Sequence, residues 1–186
     1  MSSGIPAPID TVPTPNPDAI MLKVQETLVQ SGTHEFTLND NTDDAPLAAK
    51  LLEIDGLELV LIAPRFVTLR KSSTIDWPDL IPDAKNAMRA FLSSGQMAVL
   101  EKGPSIDPSK VGEIERQIIQ ILDDDIRPAV AMDGGDINFV SFEDGIVKIQ
   151  MIGACSSCPS STATLKMGVE RLLMEEIPEV QAVEQI

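Results

Sequence analysis

The chain is poor in several residue types, and each shortage restricts what the protein can do. Its 186 residues include only 2 cysteines, 1 histidine and 1 tryptophan, and no tyrosine. Aromatic residues make up 3% of the sequence, so a hydrophobic core must be built from Ile, Leu, Val and Met. No Ser/His/Asp set, paired catalytic carboxylates or phosphate-binding glycine loop is evident, so the sequence gives no support for an enzyme.

Basic residues and long apolar runs are also scarce. The 14 Lys and Arg residues are outnumbered by 29 Asp and Glu, the net charge is −15, and both halves of the chain are acidic. Such a surface repels phosphate backbones, so we expect no nucleic-acid partner and instead expect basic protein patches or metal cations. No run of about 18 apolar residues exists, which predicts no membrane span and no membrane partner. Residues 1–10 resemble neither a secretory signal nor an Arg-rich transit peptide, so we expect a soluble, intracellular protein.

The pattern of hydrophobic residues predicts two small α+β domains. Residues 1–14 contain several prolines and little periodicity, which predicts a flexible arm. Residues 15–100 are predicted to form a mixed sheet with two helices. The predicted strands are Ala19–Val24, His34–Leu38, Leu57–Ala63 and Phe66–Lys71, and the predicted helices are Pro46–Ile54 and Asp79–Ser94. Gly-Pro and Asp-Pro steps in residues 101–109 predict a linker.

Residues 110–186 are predicted to form an α-β-β-α-β domain. Isoleucines at helical spacing predict a helix that kinks or ends at Pro128. Strands over Ile137–Phe142 and Ile146–Ile152 flank an Asp-Gly turn, which predicts a hairpin. A helix that runs to Ile177 and a strand over Glu179–Glu184 complete the domain.

Both cysteines, Cys155 and Cys158, lie on one loop between a predicted strand and a predicted helix. We expect this loop to be exposed. The positive end of a helix dipole favours thiolate over thiol, and the thiolate is both the nucleophile and the metal ligand. Pro159 suits the first turn of the helix, where its missing N–H costs nothing.

A Cys-x-x-Cys pair alone is compatible with four interpretations. A structural disulfide or two incidental thiols is the simplest of them. A dithiol oxidoreductase needs a low-pKa cysteine at a helix start, although the thioredoxin pattern expects a βαβ setting. A Cu(I) or Zn(II) chaperone uses the same motif, but usually after the first strand of its domain. An iron–sulfur site needs four thiolates, so two chains would have to meet at this loop. A zinc ion shared between two chains fits the same count of thiols.

Three segments together resemble the NifU C-terminal domain: Asp133–Asp136, the hairpin over Val140–Gly145, and the cysteine loop Gly153–Ser161. The first half resembles the N-terminal domain of Nfu proteins through Thr14–Pro17, Ile54–Gly56 and the Asp76-Trp77 pair.

The resemblance implies an iron–sulfur carrier rather than an enzyme. It implies that Cys155 and Cys158 of two subunits hold a [4Fe-4S] cluster, so that the cluster bridges a homodimer. The partners implied are upstream iron–sulfur assembly proteins and apo forms of iron–sulfur enzymes. We expect the bacterial cytoplasm, or the mitochondrial matrix if a leader has been removed.

Four other polar or aromatic side chains are weaker candidates for a functional site than this loop. His34 is interpreted as a surface or partly buried strand residue, and Trp77 as a packing anchor at a helix start. Asp133 and Asp136 together could hold a hard metal ion, but the turn around two glycines explains them more simply.

Overall fold

The computed structural model describes residues 8–30, 32–100, 112–156 and 159–186, with side chains left out for 159–162. The chain divides into two compact units, Met1–Lys102 and Gly103–Ile186. Each unit contains a sheet and helices, so the predicted two-domain α+β class is confirmed. The predicted linker at 101–109 lies outside the described residues.

The first unit is built on a five-stranded sheet in the order β1-β2-β5-β4-β3. Two helices, α1 and α2, complete it. The strands are β1 Asp10–Pro13, β2 Ala19–Lys23, β3 His34–Thr37, β4 Leu57–Ile62 and β5 Phe66–Lys71, and the helices are α1 Pro46–Leu52 and α2 Trp77–Leu92.

Two sequence predictions for this unit are wrong. Residues 10–13 fall in the predicted arm, yet they form an edge strand paired with β2, where Thr11 lies opposite Leu22 and Val12 opposite Met21. An edge strand tolerates the proline at its end because it needs donors on one side only. The sheet is also antiparallel at all four pairings rather than mixed. Two of the pairings, β1 with β2 and β4 with β5, join consecutive strands through short connections, which only antiparallel strands allow. Residues 1–7 of the predicted arm lie outside the described part of the chain.

The core of the first unit lies between one face of the sheet and the two helices. Leucines at helical spacing on α1 and apolar residues four apart on α2 pack against alternate residues of the central strands. The fully buried members include Leu22, Leu47, Leu51, Val60, Ile62, Val67, Leu69, Ala84 and Met88. Trp77 packs at the edge of this core, and its Nε1 donates a hydrogen bond of 3.0 Å to the Pro17 carbonyl. This is the anchoring role predicted from the sequence.

The second unit follows the predicted α-β-β-α-β order, with the first helix in three segments. They are α3 Glu113–Ile121, a π-helical segment Leu122–Ile126, and α4 Arg127–Met132. The remaining elements are β6 Gly135–Glu143, β7 Ile146–Gly153, a 3₁₀ turn Ala154–Ser156, α5 Pro159–Glu176 and β8 Ala182–Gln185. The sheet has the order β6-β7-β8; β7 runs antiparallel to β6 and parallel to β8.

The hairpin between β6 and β7 forms at the predicted Asp-Gly turn. Asp144 and Gly145 have φ of +51° and +81°, the positive values that a type I′ turn requires at both central residues. A bulge between Phe139 and Ser141 shifts the register by one residue, so that Gly135 pairs with Gly153. The turn and the bulge therefore decide which residues face each other at the cysteine loop.

The helix does not end at Pro128. It remains helical to Met132, and the π-helical segment comes immediately before α4. Proline lacks an N–H and its ring clashes with the carbonyl four residues earlier, and the wider π turn relieves that clash.

The second core joins the helices to one face of the small sheet. Its fully buried members are Ile118, Leu122, Ile137, Val147, Ile149, Val169, Leu173, Ile177 and Val183. Within the described residues, none of the helices is both long enough and apolar enough to cross a membrane.

Candidate functional site

Cys155 lies at the junction of strand and helix, as predicted. Strand β7 ends at Gly153, the 3₁₀ turn carries Cys155, and α5 begins at Pro159. The side chain of Cys155 is 3% exposed, so the expectation of an exposed loop is wrong for this residue. Cys158 and Ser157 lie outside the described residues.

The space beside Cys155 exists because residue 135 is a glycine. A Cβ atom on Gly135 would lie 2.7 Å from the Cys155 Sγ and 2.8 Å from the Ile152 carbonyl oxygen. Real Cβ atoms essentially never come so close, so any side chain here would displace the thiol or the backbone. Sequence reasoning assigned this glycine to turn chemistry and missed its contact with the cysteine.

Backbone contacts hold the loop against the start of β6. The Ala154 N–H donates a hydrogen bond of 3.2 Å to the Gly134 carbonyl, and the Ser156 hydroxyl donates one of 2.9 Å to the Gly153 carbonyl. Gly134 and Gly153 have φ of +78° and +74°, values that side chains rarely tolerate. The glycines of both motifs therefore shape the surroundings of Cys155.

Asp136 is a buried carboxylate next to this contact and is only 2% exposed. Its Oδ1 accepts hydrogen bonds from the Ile137 N–H at 2.8 Å and from Arg127 Nε at 2.9 Å. The hard-metal interpretation of Asp133 and Asp136 therefore loses support, because Asp136 pairs with a guanidinium. Sequence reasoning missed Arg127, which lies nine residues before its partner.

Comparison with known proteins identifies the family. The family model described as scaffold protein Nfu/NifU N terminal matches residues 9–95, and the NifU-like domain model matches residues 118–184. The human NFU1 iron-sulfur cluster scaffold homolog, named as mitochondrial, is 38% identical over 181 residues, covering 96% of this chain and 71% of that protein. The chain belongs to the Nfu family of NifU-like proteins.

Other relatives of this Nfu-family chain are longer than it is. The mitochondrial NFU1 iron-sulfur cluster scaffold homolog of Drosophila persimilis is 38% identical to this chain over 182 residues. The match covers 96% of this chain and 64% of the Drosophila protein. The mitochondrial NifU-like protein 4 of Arabidopsis thaliana is 38% identical over 184 residues, 95% of this chain and 65% of that protein. The solution structure of a NifU-like protein from Saccharomyces cerevisiae aligns with a TM-score of 0.50 at 21% identity, over 55% of this chain and 92% of that one, which supports the fold.

Other candidate features of the Nfu-family chain lie apart from the loop. His34 pairs with Ile62 in the first sheet and is partly buried, as predicted. A surface groove of about 700 Å³ lies between the start of α3 and the C-terminal end of β6. Gly135 is at the other end of that strand. The groove is lined by Gly112, Glu113, Ile114, Glu115, Gln117, Phe142 and Glu179, and none of these residues belongs to the cysteine loop.

The donor chemistry limits what the site can hold. Among the described residues, no group of three or more His, Cys, Asp or Glu side chains is placed to bind a metal ion. The thiolate ligands of the chain are its 2 cysteines, both in this loop. The sulfur atoms of one chain therefore supply half of the four thiolates that a [2Fe–2S] or [4Fe–4S] cluster takes.

Proposed function

We propose that this protein is an iron–sulfur carrier whose cargo is a [4Fe-4S] cluster held by Cys155 and Cys158 of two copies of the chain. It receives the cluster from upstream assembly proteins and transfers it to apo forms of iron–sulfur enzymes. The observation that carries the proposal is the position of Cys155, held against Gly135 at the junction of β7 and the helix that follows.

The number of thiols supports a shared cluster. Two chains with 2 cysteines each provide the four thiolates that a cubane needs, with none left over. A cluster held in this way leaves when the two subunits separate. That behaviour suits a carrier, whereas an electron-transfer protein must keep its cluster.

The backbone around the thiols supports binding of a negatively charged cargo. Helix α5 runs for 18 residues from Pro159, and its N-terminus points its partial positive charge towards the loop that precedes it. N–H groups at the first turn of a helix have no partner within the helix and are therefore suited to an anion. Both effects favour thiolate ligands and offset the charge of a thiolate-ligated cluster.

Relatives and surface charge support a carrier rather than an enzyme. The relatives are named as cluster scaffolds, and a scaffold presents its cargo to other proteins. The net charge of −15 keeps free copies apart and attracts recipients with basic surfaces. No nucleic-acid or membrane partner is part of the proposal.

The location also remains a proposal. The relatives are named as mitochondrial, which favours the mitochondrial matrix, the alternative location in the sequence analysis, over the bacterial cytoplasm. Both compartments keep thiols reduced, as a cluster carrier requires.

Anaerobic reconstitution tests the proposal. The wild type, Cys155→Ala, Cys158→Ala and the control Met167→Ala, which removes an exposed sulfur on α5, are incubated with iron and sulfide, and iron, sulfide, molecular mass and visible absorption are measured. We expect a brown wild-type dimer with about four iron and four sulfide per two chains, since a cubane contains four of each. Both cysteine variants should stay colourless, and Met167→Ala should bind the cluster. Transfer is then measured as activation of an apo-enzyme that requires a [4Fe-4S] cluster.

Other outcomes of the same experiment would replace the proposal. A wild type that stays monomeric and colourless would contradict it. One Cu(I) or Zn(II) per chain, or a dithiol that cycles without iron, would indicate the metal chaperone or the thiol-redox protein that the same motif allows. About two iron per dimer would indicate a [2Fe–2S] cargo instead.

A further inference from the structure

An ion pair between Arg127 and the buried carboxylate of Asp136 lies next to the backbone that contacts Cys155. Asp136 directly follows Gly135, the residue whose Cα lies beside the Cys155 thiol. We propose that Arg127 and Asp136 are positioning residues, whose ion pair holds Gly134 and Gly135 in place and thereby sets the position of the Cys155 thiol. This inference rests on the proposed function, because it takes Cys155 as a cluster ligand.

The guanidinium of Arg127 makes three contacts on two elements. Nε donates to Asp136 Oδ1 at 2.9 Å, and Nη2 donates to the Ile137 carbonyl at 3.1 Å. Nη1 lies 2.7 Å from Asp123 Oδ1, one helical turn earlier. One side chain therefore ties the first helix of the unit to the start of β6.

The π-helical segment explains how Arg127 reaches the sheet. Asp123 lies within this segment, and Arg127 is the first residue after it. A π-helical turn rotates the residues that follow it relative to an uninterrupted α-helix, and such turns recur at functional sites. In this chain, the residue that the π turn reorients is the one that contacts Asp136.

Burial makes this pair sensitive to the loss of either partner. The Asp136 side chain is 3% exposed and Arg127 is 38% exposed. Removing the guanidinium leaves a buried negative charge without its cation, which is strongly unfavourable. The start of β6 is then expected to move towards water, and the two glycines move with it, away from Cys155.

Alkylation of Cys155 in the apo-protein measures this effect without a cluster. In full-length Cys158→Ser protein Cys155 is the sole thiol, and its rate of reaction with iodoacetamide reports how often it is accessible. We expect Arg127→Gln and Asp136→Asn each to raise the rate about tenfold or more, through local opening of the loop. The double variant should react no faster than the faster single variant, because both changes break one interaction. Arg127→Lys keeps the positive charge but loses the planar guanidinium, which donates to Asp136 and to the Ile137 carbonyl through separate nitrogens. Its alkylation rate should therefore lie between those of the wild type and Arg127→Gln.

Two controls separate positioning from general stability. Arg171 forms an exposed ion pair with Glu175 at the i,i+4 spacing that Asp123 and Arg127 also have, so Arg171→Gln should leave the rate unchanged. Val183→Ala removes a buried methyl pair from β8, where Val183 lies opposite Val147, away from the loop. The inference is overturned if Val183→Ala raises the rate as much as Arg127→Gln, or if neither Arg127→Gln nor Asp136→Asn changes it. A wild type that binds no cluster would refute the proposed function and leave this result intact.

Discussion

Replacing Gly135 with alanine tests the close contact at Cys155 most directly. The added Cβ would be 2.8 Å from a backbone carbonyl oxygen that cannot rotate away, roughly 0.6 Å short of ordinary contact. Overpacking of this kind costs about 1–3 kcal/mol. Replacing glycine also removes freedom from the unfolded chain, which returns about 0.4–1 kcal/mol. The difference of these two terms is a net destabilisation of about 0–2.6 kcal/mol, with a midpoint of about 1.3 kcal/mol.

The matched control adds the same methyl group in the same unit. Gly168 lies within α5, and a Cβ there would meet no atom within 4 Å. Gly168→Ala should stabilise the second unit by about 0.5–1 kcal/mol, because alanine favours the helix over glycine. The two variants should thus differ in sign although the chemical change is identical.

Hydrogen exchange of the β6 and β7 amides reads the second unit separately from the first. The free energy of opening should fall in Gly135→Ala and rise in Gly168→Ala. Cluster content after reconstitution should fall in Gly135→Ala alone, because only that methyl group displaces the Cys155 thiol. Wild-type exchange and wild-type cluster content in Gly135→Ala would refute the assignment of this glycine to the site.

Two further predictions concern the first unit. Trp77→Phe removes the hydrogen bond to the Pro17 carbonyl and weakens the contact with Lys71, whose Nζ lies 5.8 Å from the ring centre. It should cost about 0.5–1.5 kcal/mol in urea denaturation followed by circular dichroism, and an unchanged midpoint would contradict the anchoring role. Hydrogen bonds from the Thr37 hydroxyl and N–H, both 2.7 Å long, lower the pKa of Asp40 from the usual value of a carboxyl. Its contribution to stability is therefore present above the unfolded pKa and lost as pH falls through the lower folded pKa. The difference in melting temperature between the wild type and Asp40→Asn should shrink over that acidic range, and a constant difference would count against the assignment.

Local signals in the sequence predicted the elements around the site, while contacts between distant residues were missed. The Asp-Gly turn and the strand before the cysteines are local patterns, and both were found. Glu143 pairs with Ile146 across that turn. A strand pairing that continued from there without interruption would place Gly135 opposite Ala154. The bulge near Val140 shifts the pair to Gly153, and a bulge has no clear signal in a single sequence.

The ion pair of Arg127 and Asp136 was missed for a similar reason. It depends on the π-helical segment, which tertiary packing and Pro128 produce together. The strand over residues 10–13 was missed because prolines favour extended backbone both in a paired edge strand and in an unpaired arm. In each case the deciding interaction joins parts of the chain that no local pattern links.

The bulge in β6 also affects how two copies can meet. Among the described strands β6 pairs with β7 on one side only, so its other side is a sheet edge nine residues long. Long, flat edges invite strand addition and aggregation, and a bulge bends the edge and interrupts its ladder. Under the proposed function, in which two copies separate after each transfer, the bulge disfavours their joining into one continuous sheet.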